Sequence, residues 1–417
     1  MWKKGVTAVV LGVTLWAPAG QPVARVQAKA GAESAQGQGL TLAVAPKPLS
    51  GQVEKGLKWL VDHQLANGGW GQGDEAPNMR SSNQAAQGQA NVADTSMALL
   101  ALVRAGNSPT EGPYRDNVRR GLAYVLSEIE SADKASLYVT STRGTRVQSK
   151  IGTYVDTFAA LNLLNEVHDT YGTKKENARL DDALTKVLGK IDRNQRADGS
   201  FGNRGWAPVL SQSLASKGLN KAAQAGRGVA APVLERAEAL AQSRQRADGS
   251  FEADGSAGVG LYAGAANTSA LRDSSQTRKQ KKRDLERKAA SGDAADRRAA
   301  QQELAQAERV EQAAKSAEDA LLGKLRDPRF VAGFGSNGGE EFLSYMLVSE
   351  SLVVQGGDKW QRWDQSMAKL MKKVQNGDGS WTGHHCITGR TFCTSAALLV
   401  LMADRVRVPV ASKLKGA

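Results

Sequence analysis

Gln64-Leu65-Ala66-Asn67-Gly68-Gly69-Trp70 returns three times along the chain: as QRADGSF at residues 195–201, as QRADGSF again at 245–251, and as QNGDGSW at 375–381. A search for self-similarity comes first because a missed repeat miscalls the whole fold. Each copy follows a stretch of helical apolar spacing, as in Leu57, Leu60, Val61 and Leu65, or Met367, Leu370, Met371 and Val374. The pattern Q-x-x-[DN]-G-[GS]-[WF] reads as a helix stop. Asp-Gly or Asn-Gly supplies a left-handed residue, the Gln amide can bond freed backbone groups, and the aromatic folds back over the helix end. Four copies with one internal spacing are not coincidence.

Working outward from these stops, a second and more apolar helix follows each first one, giving six pairs. The first helices are expected near 52–65, 115–131, 178–195, 230–245, 304–325 and 361–375. The second are expected near 93–105, 154–168, 208–224, 262–274, 340–355 and 391–404. The second set is rich in Ala, Leu and small residues, as in Thr95-Ser96-Met97-Ala98-Leu99-Leu100, which suits burial on nearly all sides. Six outer helices alternating with six inner ones close into an all-α toroid, an α6/α6 barrel. An open superhelical array of hairpins is the alternative.

The chain has 417 residues and 41% apolar content, enough for a sizeable core. Lys3 and Lys4, an apolar run from Val6 to Trp16 and then Ala28-Lys29-Ala30 make residues 1–30 a secretory signal in outline. The run is too short to span a bilayer, and no later stretch is apolar enough to do so. Export to the periplasm or the cell exterior is therefore expected, with no transmembrane segment after signal removal. Of the formal charge of +13, residues 1–30 carry four and no acids, leaving +9 and a mild attraction to acidic polymers or membranes. Residues 31–49, rich in Gly, Ala, Gln and Ser, read as an unstructured leader. The toroid then runs over 50–271 and 326–405, with a tail at 406–417.

The four repeat segments resemble the QW-type repeats of squalene-hopene cyclases and of protein prenyltransferase β-subunits. Over residues 50 to 405 the hairpin count is similar to the α/α toroid of that terpenoid cyclase and prenyltransferase superfamily. The resemblance implies the fold and leaves the reaction to be argued from the site.

Residues 272–325 interrupt the pattern with Lys/Arg, Asp/Glu, Ala and Gln in place of apolar periodicity. Broken at Ser291-Gly292-Asp293, they read as two charged helices forming an inserted antiparallel arm, the second merging with the fifth outer helix. The cluster Arg278-Lys279-Gln280-Lys281-Lys282-Arg283 offers a docking place for a protein partner or an anionic surface; the competing reading is a solvated helix face. Interleaved acids and the lack of aromatics for base stacking argue against nucleic acid.

Chemistry in such a toroid is expected where the inner helices begin. Asp94 and Asp156 hold equivalent places there, and Glu340 and Glu341 start the fifth inner helix. The candidate catalytic carboxylates are Asp94, Asp156 and Glu341, with helix capping as the competing role. Tyr154, Phe158, Tyr262, Phe342, Tyr345, Arg390 and Phe392 are the candidate pocket lining for an apolar, isoprenoid-like or peptide ligand. The densest constellation is His384-His385-Cys386-Ile387-Thr388-Gly389-Arg390-Thr391-Phe392-Cys393. A Cys386–Cys393 disulfide suits an exported protein with two cysteines. No cofactor is expected, since nucleotide cofactors are scarce outside the cytoplasm; zinc held by His384, His385, Cys386 and Cys393 is the alternative.

The family's catalytic strings are missing. Class II cyclases protonate substrate with a D-x-D-D set, and the nearest string here, Arg179-Leu180-Asp181-Asp182, has Arg in the first acidic place and starts an outer helix. The prenyltransferase zinc ligands are not matched either: Glu340-Glu341-Phe342 lacks the Cys, and Cys393 stands approximately where their His belongs. The reading is a binding toroid without class II cyclisation. An enzyme of the cyclase and prenyltransferase type with an altered, metal-assisted site is the alternative, with a carbohydrate-active α6/α6 barrel behind it.

Overall fold

The computed structural model describes residues 40–75, 86, 88–168 and 170–409; the secretory segment expected at 1–30 lies outside them. In chain order the helices are α1 (Gly51–Asp62), α2 (Val92–Arg104), α3 (Arg115–Ser131), α4 (Arg146–Ile151), α5 (Val155–Val167), α6 (Lys174–Asn194) and α7 (Val209–Gln224). They continue as α8 (Ala231–Ser243), α9 (Gly260–Ser291), α10 (Ala294–Lys324), α11 (Pro328–Val331), α12 (Gly339–Val353), α13 (Gly357–Val374) and α14 (Arg390–Leu401). No described helix is long and apolar enough to cross a membrane.

The inner helices form a ring. α2 packs on α5, α5 on α7, α7 on α9, α9 on α12 and α12 on α14, and α14 returns to α2. That last contact closes the barrel and excludes the open array. Outside it α1, α3, α6, α8, α10 and α13 each lie against an inner helix, so all six expected pairs are present. Burial follows the composition: every residue of α12 is buried, whereas α1 buries one stripe of Val53, Gly56, Leu57, Trp59 and Leu60.

The repeats are the joints of the outer ring. Each Gln donates once to its own turn and once to the backbone of the next outer helix. Gln64 Nε2 reaches Gly68 O at 2.7 Å and Asn117 O at 2.9 Å; Gln375 Nε2 reaches Gly379 O at 2.8 Å and Gln52 O at 2.9 Å, so the last joint closes on α1. Gln195 and Gln245 do the same toward Val233 and Ala313. The repeat glycines have φ between 81° and 94°, and a Cβ at Gly68 would stand 2.6 Å from the Arg120 carbonyl oxygen. Only glycine meets both demands. The tryptophans tie outer helix to inner helix. Trp70 Nε1 donates to Leu60 O at 2.7 Å while its backbone N–H donates to Thr95 Oγ1 at 2.8 Å, and Trp381 repeats the scheme with Met371 and Thr394.

At the C-terminal ends of the inner helices the barrel is closed by buried ion pairs. Arg104 of α2 binds Glu350 of α12 and, at 3.3 Å, Glu166 of α5. Lys217 of α7 lies 3.1 Å from both Glu350 and Asp273 of α9, and Lys221 lies 2.7 Å from Glu166. Three cations and three anions on five inner helices thus neutralise one another. Burial pushes the Glu166 carboxyl up, but Lys221 and Arg104 overcome it and hold it down at about 2.

α9 runs unbroken from the inner ring into the arm, and Asp293 Oδ1 caps α10 by accepting from Ala295 N and Asp296 N. Residues 272–277 are buried, so the inner part extends past the boundary expected at 272. Within the basic cluster Arg278 pairs with Glu238 of α8 and Glu303 of α10, and Lys279 pairs with Glu311 of α10, so these two cations tie α9 to its neighbours. The leader and tail boundaries also move: Leu40–Leu42 and Arg407–Pro409 form a two-stranded antiparallel sheet with Leu40 opposite Pro409. Extended segments from both ends of the chain satisfy one another's backbone there.

Candidate functional site

The N-terminal ends of α2, α5, α12 and α14 lie at the other end of the ring, its mouth, with Asp94, Asp156 and Phe392 in the first turns of α2, α5 and α14 and Tyr154 just before α5. Each acid is held by the protein through at least one oxygen, while Asp94 Oδ1 has no hydrogen-bond partner among the described residues. Asp94 lies in the first turn of α2, where Asn91 is the cap: Asn91 Oδ1 accepts from Asp94 N at 2.9 Å and Asn91 Nδ2 donates to Asp94 Oδ2 at 2.6 Å. Asp156 caps its neighbour, accepting from Ala93 N at 2.9 Å and from Gln148 Nε2 at 2.8 Å. Both are buried. Burial is the main reason that the Asp94 carboxyl is pushed up to about 7 and Asp156 to about 6.

Glu341 gathers three hydrogen-bond donors and one ion-pair partner. Its Oε1 accepts from Tyr262 OH and from Phe334 N at 2.9 Å, while Oε2 accepts from Gly338 N at 2.9 Å and faces His385 Nε2 at 3.1 Å. It clamps the loop before α12 to the loop before α14. Beside it Glu340 accepts from Ile387 N at 3.2 Å, and burial together with the Glu341 charge raises its carboxyl to about 7.

Five of the expected pocket residues are not pocket residues. Phe158, Tyr262, Phe342, Tyr345 and Phe392 are at most 1% exposed. Phe158 packs on Phe201 with ring centroids 5.0 Å apart, and Tyr345 packs between Phe342 and Trp363 while its hydroxyl donates to Val331 O. Phe158 and Tyr345 meet the repeat aromatic Phe201 and Trp363 of α13, so they pack between the inner and outer layers of helices instead of around a void. Arg390 also serves the scaffold, bonding Asp378 at 2.7 Å and Thr382 at 3.2 Å.

The cysteines correct another expectation. Cys386 and Cys393 are unbonded, so the disulfide is not formed; the Cys393 thiol faces the Ile387 carbonyl instead, with Sγ to O at 3.5 Å. Burial pushes that thiol well above its ordinary value. The expected metal set is reordered as well: among the described residues the group with converging ligand atoms is Glu340, Glu341 and His385. His384 is exposed and stands outside it, as do both cysteines.

What sequence reasoning missed is an aromatic rim around this mouth. Phe334 is 54% exposed and packs edge-on to Trp206 at 5.1 Å and against His385 at 5.2 Å. Lys150 Nζ lies 5.6 Å from the Trp206 ring centre. Across the loops that join Thr153 to Arg204, Tyr154 packs on Tyr138, whose ring carries the Arg143 guanidinium at 3.5 Å. The available signal was Trp206, which belongs to neither a repeat nor an outer helix. A separate groove of about 410 Å³ opens on the outer wall beside α6 and α8, and a cavity of about 510 Å³ lies by Asp74, Glu75 and Thr391. Neither is lined by the five sealed rings.

Residues 38–144 match the family model of the squalene-hopene cyclase C-terminal domain. The chain resembles the terpenoid cyclase and prenyltransferase toroids. Among solved structures, a protein from Actinoplanes is 14% identical with a TM-score of 0.47, covering 85% of this chain and 98% of that one. A type II terpene cyclase from Scytonema in complex with merosterolic acid A is 12% identical with a TM-score of 0.48, covering 85% and 96%. The same kind of cyclase with geranylgeranyl dihydroxybenzoate is 13% identical with a TM-score of 0.45. No curated protein matches the chain. Against the cyclase pattern, Arg179 and Asp181 are engaged on the outer wall, with Glu130 at 2.5 Å and His168 at 2.6 Å.

Proposed function

We propose that this chain is an exported toroid that holds an apolar, isoprenoid-like or peptide ligand on the rim of its inner-helix mouth and does not perform class II cyclisation. The observation that carries the reading is the division of labour at the mouth. The carboxylates are buried beneath the helix termini, whereas Phe334, Trp206, Tyr154 and Tyr138 present ring surface beside Lys150 and Arg143. Rings flanked by cations suit an apolar chain with an acidic or hydrogen-bonding end.

Alkene protonation needs a carboxylic acid facing a substrate cavity. Asp94, Asp156 and Glu340 are raised toward neutrality, as such an acid would be, yet all three lie behind helix termini in the core. Titration of the purified protein with farnesol and with an apolar peptide, followed by tryptophan fluorescence, tests binding; incubation with squalene and extraction of products tests cyclisation. Saturable binding of either ligand without new cyclic product is expected. Product formation, or the absence of binding by both, contradicts the proposal.

A further inference from the structure

Independently of what occupies the rim, we propose that Glu340, Glu341 and His385 form a transition-metal site of the kind zinc fills, set beneath the mouth. The ligand atoms of the three side chains lie within 4.8 Å of one another. They come from two separate segments, the first turn of α12 and the loop before α14. His385 Nε2 and Glu341 Oε2 stand 3.1 Å apart, close to the edge of roughly 3.3 Å of a tetrahedron with metal–ligand distances of about 2.0–2.1 Å. One imidazole and two carboxylates with a position left open is a donor set that suits zinc.

Glu340 is what points to a ligand. It is completely buried, and while Oε2 accepts from Ile387 N, Oε1 has no hydrogen-bond partner. A buried carboxylate oxygen left bare is costly, and a cation satisfies it where the surrounding apolar residues do not. Binding places the cation where His385 Nε2 now meets Glu341 Oε2; the imidazole proton passes to solvent, and Nε2 gives up its 2.7 Å contact with the Ser336 carbonyl oxygen. Glu341 keeps its bonds to Tyr262, Phe334 and Gly338, which orient it as outer groups orient metal ligands. The backbone also holds the two segments together: Gly339 N donates to Ile387 O at 2.9 Å and His384 N donates to Asn337 O at 2.7 Å. The cysteines take no part.

The test is cobalt(II) titration of the untagged full chain, read by its visible absorption and by displacement with zinc. One equivalent should bind, with Glu340→Gln and His385→Gln each weakening affinity at least tenfold and Cys393→Ser leaving it within twofold. Should Glu340→Gln fail to fold by circular dichroism, His385→Gln, altering a side chain at the half-buried mouth, carries the test. No saturable binding to the native chain, unchanged affinity in the folded variants, or a thiolate-to-cobalt charge-transfer band overturns the site.

Discussion

Arg104, the last residue of α2, binds Glu350 of α12 inside the barrel, joining two inner helices that are not neighbours in the ring. The pair lies at the end opposite the mouth, and both partners are buried. Arg104→Met leaves Glu350 and Glu166 with less counter-charge and is expected to cost about 3–5 kcal/mol, the usual penalty for breaking a buried pair from one side. Chemical denaturation of the variant measures it. A loss below about 1 kcal/mol would mean that the charges are solvated in solution.

The repeat glycines should be as intolerant. Gly379 has φ 94°, and a Cβ there would lie 2.8 Å from the Lys55 carbonyl oxygen on α1. Gly379→Ala combines left-handed strain with overpacking at the joint that closes the ring, so a loss of roughly 2–4 kcal/mol is expected. Thermal unfolding compared with Gly377→Ala, whose Cβ meets nothing within 4 Å, separates the joint from a general effect of alanine.

Stability should depend on pH with opposite signs at the two ends of the barrel. Glu166, held down at about 2, contributes stability that is complete above the ordinary carboxylate range near 4.5 and is lost as pH falls toward 2. Asp94 and Asp156 are raised to about 7 and about 6. Their neutral forms favour the fold, and that contribution is lost as pH rises from the unfolded value of 3.8 through those values. Denaturation midpoints for the native chain and Asp94→Asn across pH 3–8 check this: the variant should lose less stability between pH 4 and 7, and parallel curves would contradict the assignment.

Thiol counting checks the cysteine loop. Two thiols should react in denaturant without prior reduction, and neither Cys386 nor Cys393 should react readily in the native state, since both are buried. Two thiols that appear only after reduction would restore the disulfide.

The hairpins were legible because their signal is local. A seven-residue stop carries its own turn chemistry, and Asn67, Asp198, Asp248 and Asp378 each accept from the backbone two residues on, as Asx turns do. The closing contacts were not legible, since Gln375 meets Gln52 across 323 residues and Arg104 meets Glu350 across 246. Isolated charges within apolar helices, such as Lys217 and Glu350, were the trace of that network. At the mouth the carboxylate positions were readable from repeat equivalence, but an inward ring and a sealed ring share one helical spacing, so Phe158 and Phe392 could not be told from pocket residues. Phe334 sits in a short loop with no periodicity to mark it.

The most direct measurement compares farnesol affinity in two variants by tryptophan quenching and calorimetry. Phe334→Ala removes exposed ring surface and should weaken binding about tenfold while changing stability by less than about 0.5 kcal/mol; Asp94→Asn, altering a buried first-turn acid, should keep affinity within threefold. Affinity unaffected by Phe334→Ala but lost in a folded Asp94→Asn would place the ligand among the buried acids and contradict the account.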